Sequence, residues 1–178
     1  MILLAIPLVV GGIALAPKIV DLVYDASYFP SILAFQILTI TAGIIYLSQP
    51  FYRTLIAANL QKYIFLITFS GAVLNMILNF ILIPKYTLYG AAVATLITYF
   101  LVFLLYLIFL KKKTSLSPFN KKYHNVFIIS LLASLLMIFL ILQPLIFKLN
   151  IILIILIGAT FYFSFIFLFD KIFKLNLI

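Results

Sequence analysis

The stretch "NMILNFILIPKYTLYGAAVATLIT", residues 75–98, sets two asparagines in an apolar run, breaks the run at Pro-Lys-Tyr, and resumes it with glycine, alanines and threonines. On each side of the break the apolar residues continue, over about 63–83 and 88–110. Roughly 20 such residues make a helix long enough to cross a hydrocarbon core of about 30 Å. The break therefore reads as a turn between two membrane helices, with Pro84-Lys85-Tyr86 as the punctuation.

Working outward, the same pattern gives six membrane helices, at about 1–16, 31–56, 63–83, 88–110, 125–144 and 149–169. The chain of 178 residues is 67% hydrophobic and 8% charged, with a mean hydropathy of +1.37. A soluble domain carries about 25% charged residues, so the fold class is an all-α membrane protein. The first helix is short: about 16 residues rise only about 24 Å, so the chain is expected to begin inside a span. Residues 17–30, "PKIVDLVYDASYFP", read as an amphipathic piece lying in the membrane interface. The basic segment 111–124 divides a four-helix block, 1–110, from a closing pair and tail, 125–178.

The net charge of +9 does not point to nucleic acid, because the basic residues flank apolar runs, where they orient helices and meet headgroups. Arg53, Lys62, Lys111–Lys113, Lys121, Lys122, Lys171 and Lys174 fall on one side of the expected topology, and Lys18, Lys85 and Lys148 on the other. Cytoplasmic loops collect Lys and Arg, so the C-terminus and 111–124 are expected in the cytoplasm, and 17–30 and 84–87 outside. Cysteine is absent, which excludes disulfides and thiolate metal sites; no cofactor or metal is expected.

Thr68, Gly71, Ala72, Asn75 and Asn79 recur at spacings of three and four, so small and polar groups share one helical face. Ala91, Ala94, Thr95 and Thr98 form a matching stripe after Gly90. Such stripes serve close helix packing and amide hydrogen bonding, or line a polar cavity; Asn75, Asn79 and Thr95 are the candidates for a substrate path. Arg53 is a further candidate, either snorkelling to the surface or facing a hydrated space where a guanidinium suits phosphate. Pro50 reads as a hinge or a packed kink. Asp21 and Asp25, four apart, are the one enzyme-like feature: on a helix they would share a face and could serve a metal or act as base in a glycosyl transfer. Their simpler reading is a solvated loop.

The segments "LIAANLQK" (55–62), "GAVLNMILNFILIPKY" (71–86) and "YGAAVATLIT" (89–98), in that order and spacing, carry a resemblance. Residues 32–100 resemble the C-terminal half of the polysaccharide-biosynthesis and O-antigen flippase family, in the multidrug/oligosaccharidyl-lipid/polysaccharide exporter superfamily. The resemblance implies a translocase of lipid-linked oligosaccharide in the cell membrane, with about fourteen helices in two lobes around a hydrophilic cavity. The helices here would be its last six. Asn59, Gln61, Lys62, Gly71, Asn75, Asn79, Pro84, Gly90 and Ala91 are the family-like positions, architectural first. The N-terminal lobe, with the cationic cavity residues of related flippases, is not in this chain; it would come from a partner or from further copies. The alternatives are a membrane glycosyltransferase or ligase fragment using Asp21 and Asp25, and a noncatalytic scaffold subunit.

Overall fold

The computed structural model describes residues 1–24, 26–114 and 121–173. Its helices are α1 (Ile2–Val23), α2 (Ser31–Ala57), α3 (Gln61–Lys113), α4 (Lys121–Ile141), the single turn α5 (Pro144–Phe147) and α6 (Ile151–Phe173), with one 3-10 turn at Ala26–Tyr28. The 53 residues of α3 would rise about 80 Å if straight, more than twice the hydrocarbon core. They do not run straight. Thr87 takes φ 48 and ψ −119 and reverses the chain, so arms 61–86 and 88–113 lie antiparallel. Pro84 to Tyr86 remain helical; the turn falls one residue later than the Pro-Lys-Tyr break suggests. Pro84 has no N–H for the carbonyl of Phe80, which loosens the turn just before the reversal. Gly90 lets the second arm start against the first: a Cβ there would lie 2.4 Å from the carbonyl oxygen of Leu82.

Apart from α5 the helices reach membrane length, and counting the two arms of α3 separately there are six such segments among the described residues, as the hydropathy predicts. Three boundaries differ from expectation. α1 does not stop at residue 16 but runs through Pro17 to Val23, so its 22 residues rise about 33 Å and suffice for a span. Residues 17–23 are thus the end of a membrane helix rather than an interfacial piece. Lys111–Lys113 finish α3, and Lys121 opens α4, so both ends of the basic segment 111–124 extend helices; 115–120 lie outside the described residues.

α1 stays helical through its prolines because neighbours replace what they remove. A proline leaves the carbonyl four residues earlier without its helical donor, and lipid offers none. Pro17 frees Ile13, whose oxygen accepts from the Gln36 amide of α2 at 3.1 Å. Pro7 frees Leu3, whose oxygen accepts from the Tyr162 hydroxyl of α6 at 2.8 Å. With that proton committed, the Tyr162 oxygen accepts from Ser130 of α4 at 2.6 Å.

Packing runs in sequence: the α3 hairpin on α2, α2 on α1, α1 on α4, and α4 on α6, with α1 also touching α6. One apolar cluster joins Leu15 of α1 to Ile129, Ala133 and Met137 of α4 and Ile154, Tyr162 and Ile166 of α6. The other joins Leu55 of α2 to Ile67, Val102, Tyr106 and Leu110 of α3. α1 therefore ties 1–110 to the closing pair.

Alternating helix directions sort the loops onto two faces. On the lysine-poor face, Tyr89 donates to the carbonyl of Pro30, and Lys18 donates to the carbonyls of Phe147 and Leu149 while its ammonium sits 4.2 Å from the Phe147 ring centroid. The lysine-rich face holds the α2–α3 turn, a complete Schellman motif: Leu60 N–H bonds Leu55 O at 2.9 Å and Asn59 N–H bonds Ile56 O at 2.9 Å. Asn59 supplies the left-handed residue, φ 57, and Leu60 packs against buried Leu55.

Candidate functional site: a neutral polar cavity between α2 and the α3 hairpin

A cavity of about 460 Å³ lies between α2 and both arms of α3. Its walls are Ile45, Ser48, Gln49 and Tyr52 from α2, Thr68, Gly71, Ala72 and Asn75 from the first arm, and Thr95, Thr98, Tyr99, Val102 and Tyr106 from the second. In α2 these residues run from mid-span toward the lysine-rich end, and in the two arms of α3 they straddle mid-span, from Thr68 to Asn75 and from Thr95 to Tyr106. The space lies at mid-span and reaches toward that face.

The stripes read from the sequence meet here. Gly71 packs against Val102, where an added Cβ would lie 2.6 Å from the valine Cγ2, so the arms are close at this level. From there toward the reversal at Thr87, polar side chains form a ladder. Thr98 donates to Ala94 O at 2.8 Å, which leaves its oxygen to accept from the Asn75 amide at 3.2 Å. Asn75 Oδ1 in turn accepts from the Asn79 amide at 2.9 Å. The ladder ends unsatisfied: Asn79 Oδ1 is buried and meets no donor. Rotating that amide would set it oxygen to oxygen against Asn75, so the orientation follows from the network.

The cavity chemistry is specific. Ser48, Thr68 and Thr95 return their protons to the carbonyls of Ile45, Ile64 and Ala91 in their own helices, at 2.7 to 2.8 Å. Their oxygens are left as acceptors, while the Gln49 amide and the tyrosine hydroxyls can both donate and accept. No lining residue is charged. Such a surface suits a neutral, polyhydroxylated group, because every hydroxyl placed in it can donate without a counter-charge.

Of the sequence candidates, Asn75 and Thr95 line the cavity. Asn79 supports Asn75 from the level above and is not in the wall. Arg53 is exposed near the end of α2 and also lies outside the wall. Pro50 sits beside Gln49 within an unbroken α2, and Thr54 donates to its carbonyl at 2.8 Å. Asp21 is exposed at the end of α1 on the lysine-poor face, and Asp25 lies outside the described residues. Sequence reading missed the opposite wall. Ile45, Ser48, Gln49 and Tyr52 also recur at three-four spacing, a signal diluted because α2 has polar groups on several faces. The rings of Tyr52 and Tyr106, with centroids 6.1 Å apart, line the cavity at its lysine-rich end.

Comparison with known proteins adds one likeness. The chain is 26% identical over 122 residues to the uncharacterized membrane protein MJ1068 of Methanocaldococcus jannaschii, a match covering 68% of this chain and 24% of that protein. No family model and no solved structure matches. The chain spans about a quarter of the length of the relative it matches. A multi-pass membrane protein is what the helices and this relative together support.

Proposed function

We propose that this chain forms one lobe of a translocase that carries a polyprenyl-phosphate-linked oligosaccharide across the cell membrane. The observation that carries this reading is the neutral, acceptor-rich cavity at mid-span between α2 and the α3 hairpin. Moving a sugar head across hydrocarbon needs its hydroxyls paired throughout, because each unpaired polar group costs several kcal/mol there. Hydroxyl and amide stripes on packed helices supply such pairing and need no bond chemistry. By the positive-inside rule the lysine-rich face is the cytoplasmic one, so the cavity reaches from mid-span toward the leaflet where such lipids would be loaded. A second lobe, from the same polypeptide or a partner, would complete the path, as the two-lobed resemblance implies.

The orientation is checked by Ser115→Cys and Ser27→Cys in this cysteine-free chain, labelled in intact cells with an impermeant thiol reagent. Labelling at 27 but not 115 is expected; the reverse overturns the topology. The activity is checked in a host lacking its oligosaccharide flippase, with residues 1–178 expressed alone and with a matching N-terminal lobe supplied in trans. Surface polysaccharide restored only by the pair is the expected result. Restoration by the lone chain would replace the second lobe with further copies, and no restoration by folded, membrane-inserted pair would refute translocation.

A further inference from the structure

At the lysine-rich end of the α3 hairpin the two arms bring two ammonium groups to one ring. Lys62, at the start of the first arm, places its nitrogen 5.1 Å from the Tyr63 ring centroid, and Lys113, at the end of the second, places its own at 5.0 Å. The ring is held from behind by Phe109, centroid to centroid 5.2 Å. Fifty residues of sequence separate these two lysines, so it is the reversal at Thr87 that pairs them. Both are exposed, and cation–π contact with a shared ring keeps them together against their mutual repulsion.

Among the described residues no carboxylate is carried by α2 or the α3 hairpin to neutralise them. No Asp or Glu occurs between Asp25 and Asp170. Asp21 ends α1 on the opposite face, and Asp170 is carried by α6, which packs on α4 and α1. Arg53, Lys111 and Lys112 add further positive charge near this end of α2 and α3. The pair stands at the end of a membrane-length helix, where the anions that lipid headgroups present are phosphates. A phosphodiester spreads one charge over two oxygens and leaves one of the two ammonium charges unbalanced. A phosphomonoester or diphosphate presents two or more charges on oxygens that can accept from both.

We infer that Lys62 and Lys113, clamped on Tyr63, form a binding site for a multiply charged phosphate, a phosphomonoester or diphosphate group, at the lysine-rich membrane face. Binding here requires no translocation, and its loss would leave the neutral cavity and its reading untouched.

The full chain in phosphatidylcholine nanodiscs or mild detergent, titrated by native mass spectrometry, tests this. The probes are phosphatidate, whose head is a phosphomonoester, phosphatidylglycerol, a diester of one charge, and inorganic phosphate. Phosphatidate is expected to bind at least about tenfold more tightly than phosphatidylglycerol, and Lys62→Gln or Lys113→Gln each to weaken phosphatidate about tenfold, as for loss of one charge-assisted hydrogen bond. Lys111→Gln removes the same formal charge from the same turn without touching the ring, and is expected to change binding by about twofold at most. Equal weakening by Lys111→Gln, or equal affinity for the two lipids in the unmutated chain, overturns the site and leaves only diffuse surface attraction. Inorganic phosphate binding as tightly as phosphatidate, with the same dependence on Lys62 and Lys113, keeps the site and assigns it to a soluble anion. The comparison between lipids uses the unmutated protein, so it decides the matter even if a variant misfolds.

Discussion

Replacing Asn75 by leucine should destabilise this protein far more than replacing Asn79, although the two amides sit one turn apart in the same stripe. Asn75 is the middle of the ladder: it donates to Thr98 on the other arm and accepts from Asn79. Asn75→Leu loses an interhelical bond worth about 0.6 to 1.7 kcal/mol. It also strands the Asn79 amide, whose oxygen already lacks a donor, at about 1 to 3 kcal/mol for an unsatisfied buried group. The expected loss is about 2 kcal/mol or more. Asn79→Leu breaks one bond but removes that orphaned oxygen, and the two effects offset to within about 0.5 kcal/mol. The double substitution to leucine should then cost less than Asn75→Leu alone, a coupling of about 1 kcal/mol. Unfolding by titration with sodium dodecyl sulfate in mixed micelles, followed by far-ultraviolet circular dichroism because the chain has no tryptophan, gives the numbers. Equal costs for the two single variants, or additive costs in the double, would refute the ladder.

The same titration serves two further predictions. Tyr162→Phe should cost about 1 to 2 kcal/mol by stranding the Leu3 carbonyl and Ser130, and less in a Pro7→Ala background, where residue 7 regains an N–H for that carbonyl; an equal cost in both backgrounds would separate the tyrosine from the proline. Thr87→Gly should stabilise by about 1 kcal/mol by relieving a positive φ that β-branched residues avoid, whereas Gly90→Ala should destabilise by about 3 kcal/mol, because the new methyl meets backbone rather than a mobile side chain. A harmless Gly90→Ala would mean that the arms are not that close.

Hydropathy period and length made the helices legible, since in lipid a membrane-spanning segment has few alternatives to helix. The first arm's Thr68–Asn79 face and the second arm's Ala91–Thr98 face were legible for the same reason: a stripe of small and polar residues shuns lipid whatever it meets. What a stripe meets is a tertiary fact. That Asn75 pairs with Thr98 while Asn79 ends the ladder depends on the rotation and offset of two arms, which spacing within one arm does not contain. Arg53 illustrates the converse: its charge drew attention in a chain with one arginine, yet the cavity wall is made by uncharged neighbours one turn and more toward mid-span, Gln49 and Ser48.

The misread end of α1 exposes a rule that sequence alone could have used. Pro17 looked like a terminator because in water the carbonyl it frees would be met by solvent, and the helix could end there at little cost. Within a bilayer the same carbonyl must be met by protein, so a proline inside an apolar run announces a side-chain donor on an adjacent helix more than it announces an end. In α1 the rule holds twice and in opposite directions: Pro17 calls on Gln36 of α2, and Pro7 calls on Tyr162 of α6. Those two bonds leave α1 from different sides, one toward the cavity-bearing helices and one toward the closing pair. A helix with two proline-weakened points, each latched to a different neighbour, can bend only if a latch opens. Relative motion of the two packed groups would therefore be felt first at these bonds, before the apolar contacts of either cluster are disturbed.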